Sequence, residues 1–195
     1  MAGQLDGKRV AFLATDGVEQ VELLEPRKAI EKAGAETELV SLHGGEILGF
    51  NHLDHGDQIP VDKEVSKASA DDYDAVVIPG GVANGDFLRA DQDAVKFVAG
   101  FAQAKKPIAS ICHGPWILID AGIAQGRTIT SWPSLQTDIR NAGGTWVDEE
   151  VHVDHGLVTS RKPDDIPAFS AKAIEEIAEG VHEDMPELAG ARGAR

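Results

Sequence analysis

The chain has 195 residues with 33 acidic against 18 basic side chains, a formal net charge of -15, and this length suits one domain with a substantial core. That charge opposes phosphate backbones and anionic lipid, so neither nucleic acid nor a membrane surface is an expected partner. A single cysteine excludes an internal disulfide and a four-thiolate zinc site, and it fits a reducing compartment.

The N-terminal apolar stretch is far too short to cross a bilayer and no signal-peptide cleavage pattern follows it, so a soluble, cytoplasmic protein is expected. Residues 9–14 (RVAFLA) read as a buried strand, and residues 21–34 as an amphipathic helix stopped by Gly34. Pro26 lies inside that helix and predicts a kink or a late start. Residues 36–42 form the next strand, and the glycine-punctuated stretch 44–65 reads as a hairpin excursion. Residues 74–81 (DAVVIPGG) read as a strand running into a glycine turn, followed by a helix over 91–106. Then come an apolar strand at 107–111 (PIASI) and a short helix at 113–122, with Pro115 in its first turn. Strands are expected at 127–131, 145–154 and 156–161, with helices around 134–144 and over 164–179. The tail beyond residue 180 is expected to fray. This alternation predicts a single α/β domain over 1–195, with its core in 8–178 and a mostly parallel sheet.

In open α/β sheets ligands bind beyond the carboxyl ends of the strands. Three stretches follow strands directly and should converge there: TDGVEQ (15–20), PGGVANGD (79–86) and CHGP (112–115). Cys112 falls between a strand and a helix, which is the setting of a nucleophile elbow. Helix N–H groups there would favour its thiolate. Gly114 suits a crowded turn. The other reading is a small buried hydrophobe, a common fate of free cysteine.

His113 is the base candidate, although sequence neighbours usually point apart, and a working pair also needs an orienting third group. Asp86 is the candidate for that group, or else it only opens a helical turn. Glu19 could bring a protonated carboxyl to the sulfur, or simply serve a helix N-terminus. Gly80 and Gly81 match no dinucleotide or Walker pattern, so no cofactor is expected. The Gly81 N–H, with one after Cys112, could hold an oxyanion. The clusters HLDHG (52–56) and HVDHG (152–156) resemble metal sites, but residues three apart on a strand face opposite sides, and no metal is expected. Trp116 and Trp132 could line a pocket.

With DGVEQVEL, DAVVIPGG, ASICHGP, NAGGTWVDEEVHVD and LVTSRKPDDIPAF in this order, residues 8–178 resemble the PfpI-type intracellular cysteine protease family. That family is a branch of the class I glutamine amidotransferase-like superfamily, which also holds the parkinsonism-associated deglycase and stress proteins. The resemblance implies a flavodoxin-like three-layer sandwich with Cys112 on the elbow, His113 beside it and Glu19 touching the thiol. It also implies a homodimer or larger homo-oligomer in which a neighbouring subunit supplies an acid, by position Asp86. The family protease has Glu there, in a shorter loop. Three activities are compatible with such a sulfur: a hydrolase acting on a peptide or other carbonyl substrate, a glyoxalase or deglycase acting on methylglyoxal or its early adducts, and a non-enzymatic stress protein whose thiol is oxidised as a signal.

Overall fold

Strand β1 (Arg9–Leu13) shows how the layers arise, because successive side chains of a strand leave opposite faces. Val10 and Phe12 enter one buried cluster while Ala11 and Leu13 enter another. A strand covered on both sides is mostly apolar, and β7 (Ala75–Ile78) and β8 (Ile108–Ile111) are likewise buried at every position.

The computed structural model describes residues 3–188. After β1 come β2 (Val18–Glu19), α1 (Gln20–Lys32), β3 (Glu36–Ser41), β4 (Glu46–Asn51), β5 (Asp54–Pro60) and β6 (Lys63–Glu64). Strand β7, α2 (Val82–Ala90), α3 (Gln92–Gln103), β8 and α4 (Trp116–Asp120) follow. The chain continues with β9 (Thr128–Ile129), α5 (Gln136–Asn141), β10 (Thr145–Trp146), β11 (Val151–Asp154), β12 (Leu157–Ser160) and α6 (Ile166–Glu179). Seven strands form the central sheet in the order β11-β12-β8-β7-β1-β3-β6. All neighbours pair in parallel except β11, which runs antiparallel to β12.

Leu23 and Ile30 of α1 join Phe169, Ala173 and Ile177 of α6 in one core. Phe97 and Phe101 of α3, Leu88 of α2 and Ile117 of α4 fill the other. The result is the expected three-layer α/β sandwich. Beside it, β2, β4 and β5 form a small separate sheet, the expected hairpin excursion. No helix among the described residues is long and apolar enough to cross a membrane.

Three local expectations need correction. Helix α1 begins at Gln20 and runs unbroken through a buried Pro26, which leaves only the carbonyl four residues earlier without its helical donor. The stretch after Gly81 is not merely a glycine turn but opens the nine-residue helix α2. The expected long strand at 145–154 is two short strands, β10 and β11, in different sheets.

The tail is the fourth departure. Residues 181–188 pack against the domain instead of fraying: Met185 is buried in the α3 core. The His182 N–H donates to the Lys105 carbonyl at 2.9 Å, and Asp184 meets His155 Nδ1 at 2.7 Å. Its remaining residues, 189–195, lie outside the described residues. The sequence signal for this strap is three scattered apolar residues, Val181, Met185 and Leu188, in a polar run, too little to show periodicity. Met185→Ala is expected to destabilise the fold by about 2 kcal/mol or more, read as a lower urea midpoint at unchanged slope. A midpoint equal to the parent's would mean the strap is not part of the core.

Candidate active site: a cysteine elbow beneath a hairpin

The three strand-following stretches do meet. The Glu19 N–H donates to the Gly80 carbonyl at 3.2 Å, and the Thr15 N–H donates to Asn84 Oδ1 at 2.8 Å. Asn84 Nδ2 in turn donates to the carbonyls of Pro79 and Gly80 at 3.1 and 3.0 Å, so one buried amide ties the ends of β1 and β7 to α2. Gly81 stands in the left-handed region at φ 94°, and a side chain there would run into the Gly17 carbonyl and the Glu19 nitrogen. Gly80 packs against Cys112 and Glu22, and Gly114 against the Ile78 carbonyl and Ser110 Oγ.

Cys112 follows β8 directly and has φ 61°, a conformation that side chains other than glycine adopt only at some cost. Its N–H donates to the Ser160 carbonyl at 3.1 Å, and the Gly114 N–H donates to the Ile111 carbonyl at 2.9 Å. This sharp turn explains how sequence neighbours come to face each other: Cys112 Sγ lies 3.2 Å from His113 Nδ1. The expectation that adjacent side chains diverge fails because it assumes a regular backbone.

The buried carboxyl packed beside the thiol belongs to Glu22 and not to Glu19: Glu22 and Cys112 both lie against Gly80. The Gly80 N–H donates to Glu22 Oε2 at 2.8 Å. Glu19 caps the start of α1, and its carboxylate accepts the His52 N–H from the β4–β5 turn at 3.1 Å. The reason is helical geometry. Positions 22, 26 and 30, with 23, form the buried stripe of α1, whereas position 19 precedes the helix and faces the hairpin. A glutamate on that stripe was the available signal.

Burial pushes the Glu22 carboxyl up to about 8, against the opposing bonds from Gly80 and the thiol and with a smaller push from the Glu19 charge. It is therefore mostly protonated at neutral pH and can donate to sulfur. Burial likewise brings His113 down to about 4, so its ring is neutral. Burial also raises the Cys112 thiol, with the Glu22 charge as the second cause, while the N–H groups of Gly81 and His113 act in the opposite direction. Protonation of Glu22 removes the second cause but not the first. The N–H groups favour the thiolate as expected, but with Cys112 only 6 % exposed desolvation is the larger effect.

A cleft of about 770 Å³ opens over the sulfur. Phe50 and Leu53 of the hairpin, Val82 and Phe87 of α2, and Trp116 and Trp132 form its apolar walls. Trp116 Nε1 donates to Asp138 Oδ2 at 2.9 Å, and Trp116 meets the His113 ring edge-on while Trp132 stacks on it. Asp86 projects from α2 on the exposed side of the cleft and makes no hydrogen bond to His113 within the chain. The histidines of the two HxDHG clusters have other partners: His152 pairs with Glu149, His155 with Asp184, and His55 packs on Phe50.

Fold and site together define a flavodoxin-like α/β protein that holds a buried Cys–His–Glu cluster at the carboxyl edge of its sheet. The chain belongs to the DJ-1/PfpI family, whose description matches residues 8–176. It is 42 % identical over 168 residues to the Bacillus subtilis (strain 168) protein named putative cysteine protease YraA, covering 86 % of this chain and 96 % of that one. The Thermococcus kodakarensis protein named deglycase TK1284 is 38 % identical over 167 residues, covering 86 % and 98 % of the two chains. Among solved structures, Drosophila melanogaster DJ-1beta superposes with a TM-score of 0.80 at 26 % identity over 88 % of this chain and 90 % of that one.

Because the native state holds the Glu22 proton from its ordinary 4.5 up to about 8, the stability it contributes is full below pH 4.5 and is lost as pH rises through 8. Glu22→Gln, a neutral isostere, is expected to lose less stability than the parent over that interval in urea titrations. Parallel curves would show that Glu22 titrates as an ordinary carboxylate.

Proposed function

We propose that this protein is a PfpI-type cysteine hydrolase acting on the amide or ester carbonyl of a peptide or small molecule. The observation that carries this reading is the 3.2 Å contact between Cys112 Sγ and His113 Nδ1 at the floor of an open cleft. As sulfur attacks the carbonyl carbon, the thiol proton passes to Nδ1, which meets the requirement for a base within hydrogen-bond reach. The carbonyl π pair moves to oxygen, where the N–H groups of Gly81 and His113 are the nearest candidate donors to the oxyanion. Collapse breaks the bond to the leaving amine or alcohol, which takes the proton from His113. Water then opens the thioester and restores the thiol. The 42 % identical relative named a putative cysteine protease supports this reading.

A second reading rests on Glu22, a proton-bearing carboxyl buried beside the sulfur. Addition of the thiol to the aldehyde of methylglyoxal gives a hemithioacetal. In that addition the thiol proton passes to His113 and Glu22 gives its own proton to the aldehyde oxygen. The Glu22 carboxylate so formed takes the carbon-bound proton and returns it to the adjacent carbon, His113 gives its proton to the neighbouring oxygen, and the resulting lactoyl thioester is released by water as lactate. The same addition would reverse early adducts on proteins, a stress-protective task that fits the relative named a deglycase. A cytoplasmic setting, which keeps a lone thiol reduced, goes with either reading.

Homo-oligomerisation belongs to the same proposal. Leu53, Val82 and Phe87 are 93 %, 59 % and 51 % exposed and sit together on the cleft rim of an otherwise strongly acidic chain. A second copy covering that rim would also bring Asp86 to an interface.

A panel of fluorogenic peptides and a methylglyoxal assay for lactate, run in parallel, separates the chemistries. Peptide cleavage that falls by about a hundredfold or more in Cys112→Ser is the expected result, and lactate without cleavage would transfer the assignment to the second reading. Sedimentation is expected to show a dimer or larger. A monomer at micromolar concentration would remove Asp86 from any intersubunit role.

A further inference from the structure

The distal nitrogen of His113 has a partner that neither the sequence nor the family resemblance points to. Ser134 Oγ lies 3.5 Å from His113 Nε2, on the opposite side of the ring from the thiol. Ser134 sits in a short 3-10 turn, Pro133–Leu135, and that turn is fastened to the nucleophile's own backbone. The Trp132 N–H donates to the Cys112 carbonyl at 2.9 Å, and the Leu135 N–H closes the turn onto the Trp132 carbonyl at 3.0 Å. Between these anchors the imidazole is held on two faces, stacked on Trp132 with ring centroids 5.8 Å apart and edge-on to Trp116 at 5.2 Å. Arg89 lies over Trp116, and Asp138 accepts its Nε1–H, so the clamp is itself braced.

A neutral imidazole carries one proton, and the nitrogen that lacks it is the one able to accept. For Nδ1 to take the thiol proton, Nε2 must hold the ring proton and needs an acceptor. We propose that Ser134 is the positioning residue of this site: its Oγ accepts the Nε2–H of His113 and so fixes the tautomer whose Nδ1 faces Cys112. Within the chain this hydroxyl stands where a hydrolase triad places a carboxylate. A hydroxyl partner has a chemical consequence. It orients the ring without adding a negative charge of its own.

The inference concerns the Cys–His pair and holds under either reading of the substrate, so its test does not need an identified substrate. Nitrogen-15 NMR of histidine-labelled protein reports the tautomer, with the His113 signals assigned by comparison with His113→Gln. The parent is expected to show a protonated Nε2 and an unprotonated Nδ1. Ser134→Ala is expected to mix the tautomers and to slow alkylation of Cys112 by iodoacetamide about fivefold, the equivalent of one net hydrogen bond. Ser134→Thr, which keeps the hydroxyl, should restore both. A parent with its proton on Nδ1 would overturn the proposal. So would an unchanged spectrum in Ser134→Ala, and a tautomer that responds to Asp86→Asn but not to Ser134→Ala would give the role to Asp86. Activity that fails while the tautomer behaves as expected would count against the proposed reaction and leave the role of Ser134 standing.

Discussion

The site depends on one backbone conformation. Cys112 leaves β8 in the left-handed region, which turns a residue that would have continued a buried strand into one whose sulfur meets its neighbour's imidazole. For a residue with a side chain that geometry costs about 1–2 kcal/mol. It persists because its surroundings satisfy the backbone: the Cys112 N–H is taken by Ser160 on β12 and its carbonyl by Trp132, while Gly114 closes onto Ile111. The glycines at 80, 81 and 114 let neighbouring chain segments approach to distances that any side chain would prevent. The strain is thus held by elements from four separate parts of the sequence.

Electrostatically, the three groups packed at the sulfur avoid charge within an acidic protein. The chain carries a formal -15, yet the groups grouped around the sulfur rest uncharged: burial keeps a proton on Glu22, removes one from His113 and holds Cys112 as a thiol. Each adopts the form that avoids placing a charge in a poorly solvated space. One consequence is mechanistic. A site with no resting ion pair has protons available to move in concert with bond formation.

The β4–β5 hairpin completes the cleft and explains what Glu19 does. Its carboxylate accepts the N–H of His52, whose own φ of 59° makes the hairpin turn tight. One residue on, Gln20 exchanges two bonds with Asp57, at 2.8 and 2.7 Å. The start of α1 therefore grips the hairpin while its first turn presents Glu22 to the thiol. Two glutamates three residues apart serve adjoining tasks because the helix begins between them.

What the sequence determined by itself was everything carried by local period and by short motifs. The largely apolar runs at 9–14, 74–81 and 107–111 read as strands, since a strand covered on both faces is mostly apolar. Once these strands are parallel, the stretches following them must share an edge, so Cys112, His113, Gly80, Gly81 and Trp116 were all legible as neighbours. The tertiary structure alone decided which groups touch the sulfur. Glu22 and not Glu19 reaches it because the helix start is set by pairing of β2 with β4, a contact between distant segments. The glycine- and asparagine-rich start of α2 is helical because Asn84 is bonded to three backbone groups, two of them in the loop after β7 and one beyond β1, against its local preference for a turn. Ser134 meets His113 only through the fastening of its turn to Cys112, and the strap at 181–188 gains its order from Met185 entering a core built by α3. Periodicity speaks for a residue's own element. It is silent about the partner that a buried polar atom finds across the fold, and that partner sets the chemistry.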